Sequence, residues 1–217
     1  PCVAVHSVRD GRRRVSLPLS DVCDPLVFEG CAPGESAARL AEIAVERKWK
    51  HFEIRTKKSA AFTSKASTSY WGHCLDLQPE HEDLWTGFSS SVRRALRKAE
   101  KSPLQAEVTQ SRVSITEFYR LHTQTRRQHG LPPQPISFFR AIFDQIIQKN
   151  LGFVVPASLS GRPVASAIFF RSGDTAIYKY GASAPDSREL RARNRVFGEA
   201  IQFLSGNGCK EFHFGRT

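Results

Sequence analysis

Two groups of side chains in this sequence could act on a polar substrate. Tyr178, Lys179 and Tyr180 stand together in a run that is otherwise apolar, and Arg93, Arg94, Arg97, Lys98 and Lys101 crowd into the stretch Val92–Lys101. The first group offers two phenols and an ammonium; the second is a field of positive charge suited to phosphate or carboxylate. On a helix, i,i+4 spacing sets Arg93 beside Arg97, Arg94 beside Lys98 and Arg97 beside Lys101. Each like-charged pair disfavours the helix by about 0.2–0.5 kcal/mol. Glu100 relieves only part of that, so this face is either solvated surface or the seat of an anion. In a strand, alternation would put Tyr178 and Tyr180 on one face and Lys179 on the other. A lysine there is either a snorkelling, solvated side chain or a ligand contact. His73 reads as a partly buried strand residue before it reads as a base. No Ser/His/Asp or Cys/His set falls in a pattern that builds a nucleophile.

The 217 residues, 40% of them hydrophobic, can bury one sizeable core or fill two domains. Lys plus Arg number 32 against 21 Asp plus Glu, a formal charge of +11. That surplus favours anionic partners: a nucleotide, RNA, an acyl-phosphate carrier or an acidic surface. Cys2, Cys23, Cys31, Cys74 and Cys209 are odd in number and far apart, with no CxxC or Cys/His ligand spacing. Neither a metal site nor a disulfide framework is expected, and a reducing compartment is the simpler reading. There is no apolar segment of about 18 residues and no signal-peptide pattern. Pro1 is not a natural start, so the amino end reads as trimmed.

The elements that must carry these side chains follow a legible order. Val164–Phe170 and Thr175–Tyr180 are rich in β-branched and aromatic residues, and Arg171-Ser172-Gly173-Asp174 between them has a turn composition, so they predict a hairpin. A strand over Gly152–Ala157 precedes them; a helix over Glu189–Leu204 and a strand over Cys209–Phe214 follow. This β-β-β-α-β succession predicts a sheet with a helix laid on one face. Upstream, periodicity predicts helices over Glu80–Phe88, Val92–Lys101 with a cap from Ser89-Ser90-Ser91, Ser114–His129 and Phe138–Lys149. Strands are expected over Tyr70–Leu77 and Leu104–Val108. Nearer the amino end come an edge strand over Val3–Val8, a basic turn over Arg9–Arg14 and a short run Val15–Leu19. A helix over Glu35–Lys48, capped by Ser36, and a strand over His51–Arg55 complete a partial β-β-α-β unit. Lys57–Ser69 reads as a joint, with an edge strand over Ala60–Thr63 as the alternative. The same order of strands and helices before and after residue 69 suggests a duplicated unit.

Four blocks carry a family likeness. Ser89–Ser102 (SSSVRRALRKAEKS), Phe118–Pro135 (FYRLHTQTRRQHGLPPQP), Gly161–Ser183 (GRPVASAIFFRSGDTAIYKYGAS) and Phe212–Thr217 (FHFGRT) together resemble the FemAB-like branch of the GNAT acyltransferase superfamily, with a BioF2-like acetyltransferase domain. The resemblance covers about residues 12 to 217. It implies an α/β (α+β) fold of tandem GNAT-like domains, each a mixed sheet flanked by helices. Residues 1–69 would be a partial first domain and residues 70–217 the second. The family's closing strand and helix, expected after the Phe-Gly-Arg block, would be absent. The basic block Arg93, Arg94, Arg97, Lys98 and Lys101 is similar to the family motif that precedes the second domain's core. Lys179, Tyr180 and Gly181 match its tyrosine-lysine-tyrosine-glycine block, and Gly215 with Arg216 its late glycine-arginine pair. Arg193 departs from the pattern, standing where proline is common, and so does Phe197-Gly198, where Gly198 costs about 1 kcal/mol relative to alanine in a helix interior.

By this resemblance the chain is expected to be an enzyme that moves an acyl or aminoacyl group from acyl-CoA or aminoacyl-tRNA to an amine. Such chemistry needs a neutral amine, a polarised carbonyl and donors where the oxyanion develops. Backbone groups of a splayed strand could supply those donors. The cations of residues 93–101, with Gly181 and Gly215, would position an anionic donor; Lys179 and Arg216 would meet carboxylate or phosphate. Tyr178 or Tyr180 would donate a hydrogen bond or protonate the leaving group. Relatives include peptidoglycan-bridge aminoacyltransferases and proteins linked to exopolysaccharide export. The resemblance therefore points to tRNA as donor partner, a glycan or peptidoglycan precursor as acceptor, and a cytoplasmic placement reaching the inner face of the membrane. Two other readings stay open: a non-catalytic RNA or polyanion binder using the basic helix, and a structural partner within an envelope-synthesis complex.

Overall fold

Three short strands and one amphipathic helix make up the first part of the chain. The computed structural model describes residues 3–7, 11–17, 20–24, 33–57, 66–77 and 81–216. They form two units, one of the described residues up to Trp71 with Arg216 and one of Gly72–Gly215. In the first unit, β1 (Val3–Ser7) lies antiparallel to β2 (Gly11–Val15), α1 (Pro33–Glu46) follows, and β3 (His51–Glu53) pairs parallel with β2. Arg12, Arg13 and Arg14 therefore lie in a strand and not in a turn: pairing Arg12 with His6 and Arg14 with Ala4 satisfies their backbone whatever the side chains prefer. The helix opens on Pro33, ahead of the expected Glu35, because proline fits the first helical position. Ser36 is thus inside the first turn instead of capping it. The alternative strand over 60–63 lies outside the described residues, as do Arg9 and Asp10.

The second unit contains β4 (Gly72–Asp76), α2 (His81–Gly87), α3 (Ser90–Glu100), β5 (Gln105–Ala106), α4 (Arg112–Gln128), α5 (Ile136–Gln145), β6 (Gly152–Leu159), β7 (Arg162–Ser172), β8 (Thr175–Ser183), α6 (Ala192–Gly206) and β9 (Glu211–Arg216). Its six-stranded sheet has the order β4-β9-β8-β7-β6-β5, antiparallel from β5 to β8 and parallel between β8 and β9. It is a mixed α/β sheet with helices on both faces. Phe153, Phe169, Ala200, Leu204 and Phe212 form the core under α6; Phe118, Leu121, Phe139, Val154 and Ile168 form the core under α4 and α5. Each such fully buried large side chain contributes about 1.5–3 kcal/mol, so the two layers hold the central strands from both sides.

Local chemistry sets most boundaries. The Ser89 hydroxyl accepts from Val92 N–H and the Ser111 hydroxyl from Ser114 N–H, capping α3 and α4. Pairing carries β7 to Ser172 and starts β8 at Thr175, leaving Gly173 and Asp174 as the turn, with Gly173 at φ 58. The strand expected over Leu104–Val108 shrinks to two paired residues. The expected helix Phe138–Lys149 ends at Gln145 and continues as a 3-10 turn over Ile147–Lys149, which Asn150 at φ 59 terminates. The helix expected from Glu189 starts at Ala192, because a 3-10 turn over Pro185–Arg188 precedes it and Arg191 adopts φ 55.

Candidate active site

β8 and β9 share a ladder only at Thr175 with Glu211, Ala176 with Phe212, and Ile177 with His213. Yet β8 continues to Ser183 and β9 to Arg216. At the closed end, the Asp174 carbonyl accepts from Lys210 N–H at 2.6 Å and from Glu211 N–H at 3.1 Å. Two irregularities accompany the parting at the other end. Against β7, Phe169 faces Tyr178 while Ile168 faces Tyr180, so Lys179 is the extra residue of a β-bulge. On β9, Gly215 sits at φ 100 and donates its N–H to His213 Nδ1 at 3.0 Å, which takes that amide out of strand pairing.

The bulge overturns one expectation. Tyr178 and Tyr180 do not share a face, because the inserted Lys179 offsets the alternation by one residue. Tyr178 turns toward α6, with ring centroids 5.9 Å from Phe169 and 5.0 Å from Phe197. Tyr180 turns toward α5, 6.0 Å from Phe138 and 5.5 Å from Phe139. Burial raises both phenols above their ordinary pKa, and the Arg193 charge opposes part of that rise at Tyr178. Both are therefore protonated at neutral pH and able to donate. The Tyr178 ring lies back over Gly181: a Cβ at Gly181 would sit 2.9 Å from Tyr178 Cζ and overlap its hydroxyl. That overlap is the physical requirement for glycine here.

Backbone direction follows from the ladder. Ala184 N–H donates to Val164 O at 2.8 Å, so it faces β7, and strand alternation turns the N–H and C=O of Gly181 and Ser183 to the opposite edge. Gly181 N–H therefore faces the side on which β9 has moved away. Tyr178, Lys179, Tyr180 and Gly181 are brought together at this opening, with Lys179 at its bulge.

The cations of residues 93–101 are placed by the packing of their helix. α3 packs on α6, where a Cβ at Gly198 would be 3.3 Å from Leu96 Cδ2, and turns Arg94, Arg97, Lys98 and Lys101 out to solvent. Arg93 Nη1 donates to Thr86 O at 3.1 Å, and the Arg97 guanidinium stands over the Trp85 ring at 5.4 Å. Gly215 has its N–H occupied by His213. Arg216 groups with the first unit, 3.4 Å from Asp21 Oδ1 and 4.2 Å above the Tyr70 ring. His73 is exposed on β4 and not partly buried, since only Leu75 of that strand turns inward. Among the described residues, no group of three or more His, Cys, Asp or Glu is placed to hold a metal ion. Among them, too, no helix is long and apolar enough to cross a membrane.

Two histidines escape sequence reasoning. His122, 5% exposed on α4, donates from Nε2 to Gln134 Oε1 at 2.7 Å, while its buried Nδ1 has no partner among the described residues. Burial lowers its pKa, the Gln134 bond raises it and the Arg126 charge lowers it, with a net fall. His213 is buried on β9 beside Gly72. Both stand in apolar stripes that read as ordinary core, so spacing carried no signal of their polar surroundings.

Solved structures share this fold at low identity. FemX aligns with 95% of this chain and 72% of its own at 13% identity and a TM-score of 0.67. The C-terminal domain of a protein designated a lysylphosphatidylglycerol synthetase from Agrobacterium fabrum aligns with 100% and 71% at 16% identity and a TM-score of 0.65. L-PGS from Bacillus licheniformis aligns with 99% and 68% at 14% identity and a TM-score of 0.60. No curated protein matches the chain. The family model described as Acetyltransferase (GNAT) domain matches residues 86–217, from the end of α2 through the bulge of β8 to β9. An opened parallel pair in a mixed sheet, with this match over more than half of the chain, identifies the protein as a member of the GNAT acetyltransferase domain family, an enzyme of acyl or aminoacyl transfer.

Proposed function

We propose that the chain transfers an acyl or aminoacyl group from acyl-CoA or aminoacyl-tRNA to an amine, as a FemAB-like member of its family. The observation that carries this reading is the opening between β8 and β9, with Gly181 N–H facing into it beside the Lys179 bulge. The amine nitrogen adds to the donor carbonyl carbon, a C–N bond forms, and the carbonyl π pair moves onto oxygen. Gly181 N–H donates to that oxyanion; removing one such donor typically lowers the rate about 10²–10³-fold. Collapse breaks the C–S bond of a thioester or the C–O bond of an aminoacyl ester. The departing sulfur or oxygen takes the Tyr178 proton, and the phenolate recovers one from the amine nitrogen. The products are an amide and a free thiol or ribose hydroxyl.

In this reading Lys179 meets a carboxylate or phosphate of the substrates and Tyr180 donates a hydrogen bond; the family resemblance gives Arg216 a carboxylate or phosphate partner as well. The exposed cations Arg94, Arg97, Lys98 and Lys101 hold the phosphates of the donor. The sequence blocks that resemble the FemAB-like branch also support a tandem arrangement with the first unit as a partial GNAT-like domain. They support a glycan or peptidoglycan precursor as acceptor at the inner face of the membrane. A transfer assay offering acetyl-CoA and aminoacyl-tRNA to a panel of amines, run on the parent, Lys179→Ala, Tyr180→Phe and Arg216→Ala, tests the assignment. The three variants should each lose activity; unchanged turnover in all three would reject it. Native mass spectrometry of the protein purified from its own cells should find a retained CoA thioester, tRNA or glycan precursor.

A further inference from the structure

Beyond Ile177, β8 has no ladder partner in β9 among the described residues, yet the backbone of Ser183 on that open edge is not bare. The Thr125 hydroxyl of α4 accepts from Ser183 N–H at 3.3 Å and donates to Ser183 C=O at 3.3 Å. One side-chain oxygen thus does what an opposing strand residue would do, engaging both groups of a single residue. From the other helical layer, Arg193 Nε donates to the buried Ser183 hydroxyl at 3.0 Å. Arg193 stands in the first turn of α6, where the helix dipole disfavours a cation, so the bond to Ser183 gives this arginine a local reason to be there.

We propose that Thr125 is a positioning residue of the transfer reaction: with Arg193 it clamps Ser183 and so holds the open edge of β8, and with it Gly181 N–H, at the opening. The proposal rests on the acyl-transfer reading only for its kinetic consequence. A hydroxyl partner that engages Ser183 without extending to Gly181 leaves that amide unpaired by β9 while fixing the strand two residues away. A second full strand partner would have closed the gap.

The test compares Thr125→Val, which keeps the shape and removes both bonds, with Thr125→Ser, which keeps them. Amide hydrogen exchange is expected to show Ser183 exchanging at least about tenfold faster in the valine variant and near the parent rate in the serine variant. With acetyl-CoA and aminoacyl-tRNA each tried as donor, the valine variant should lose about 10–100-fold in kcat with donor KM within about twofold, and serine should restore kcat. Unchanged exchange at Ser183 in Thr125→Val would overturn the clamp. Faster exchange with unaltered kcat would overturn the positioning role. A parent that transfers from neither donor defeats the functional reading instead, and the exchange comparison still decides whether Thr125 holds the edge.

Discussion

Replacing Gly181 with alanine asks whether the Tyr178 phenol is held where the structure puts it. The added methyl would overlap the hydroxyl and sit 2.9 Å from Cζ and 3.1 Å from Cε2 of Tyr178. A tyrosine tip can normally swing aside cheaply. Here the ring is walled by Phe169 and Phe197, so either it leaves its packing or the strand shifts. Overpacking of this kind costs about 1–3 kcal/mol. Against it, losing glycine's freedom in the unfolded chain stabilises by about 0.4–1 kcal/mol, because Gly181 does not occupy the left-handed region. The expected net loss is about 0–2.6 kcal/mol, with mid-range values giving about 1.3 kcal/mol, read as a lower urea midpoint at constant slope. Tyr178→Leu removes the ring tip and gives the methyl room, so the double variant should be more stable than the sum of the single changes by about 1–3 kcal/mol. Additivity within about 0.5 kcal/mol would refute the reasoning.

Other expectations follow from the same geometry. His122 has a folded pKa below its ordinary 6.5, so the unfolded chain binds its proton first as pH falls. Its contribution is complete above about pH 6.5 and drains away as pH drops toward the folded value, by at most about 1.4 kcal/mol per pH unit. Urea midpoints from pH 8 to pH 5 should show this loss in the parent and less of it in His122→Asn. Gly198→Ala should recover less than the full helix-propensity gain of about 1 kcal/mol, since its methyl would meet Leu96 Cδ2 at 3.3 Å. Gly198→Leu should instead lower stability by about 1–3 kcal/mol by wedging α3 from α6. Changing Arg94, Arg97 and Lys98 to glutamine should flatten the salt dependence of polyanion binding, by about 0.7 in log–log slope per lost single-strand phosphate contact. An unchanged slope would assign that face to solvent.

Much of the second unit's architecture was written in local spacing. Runs rich in β-branched and aromatic residues predicted β6, β7 and β8, and the apolar positions of α3, α4 and α6 lie on single helical faces with Leu96, Ala99, Phe118, Leu121, Val196 and Ala200 inward. The serines before α3 announced its boundary because capping is a short-range bond, whereas α4 starts at Arg112 behind a Ser111 cap, two residues ahead of the expected Ser114. Resemblance in four blocks supplied the family. Spacing misjudged the arginines of β2, which pairing with β1 draws into a strand, and the starts of α1 and α6, which Pro33 at the first helical position and Arg191 at φ 55 shift locally.

In the site, as in β2, pairing overrules local preference. Alternation along β8 alone would leave Tyr178 and Tyr180 on one face, but β7 pairs with it from both ends in registers that differ by one residue, and Lys179 absorbs the difference. Thr125 and Ser183, 58 residues apart, meet only because α4 crosses the open edge. The orphaned Nδ1 of His122 exists only once Phe118 and Phe139 enclose the ring. Sequence determined which side chains were available and which elements would bear them, since those rest on bonds between near neighbours. Tertiary structure decided which face each one looks toward and where two strands separate, since those rest on register between segments the chain brings together only on folding.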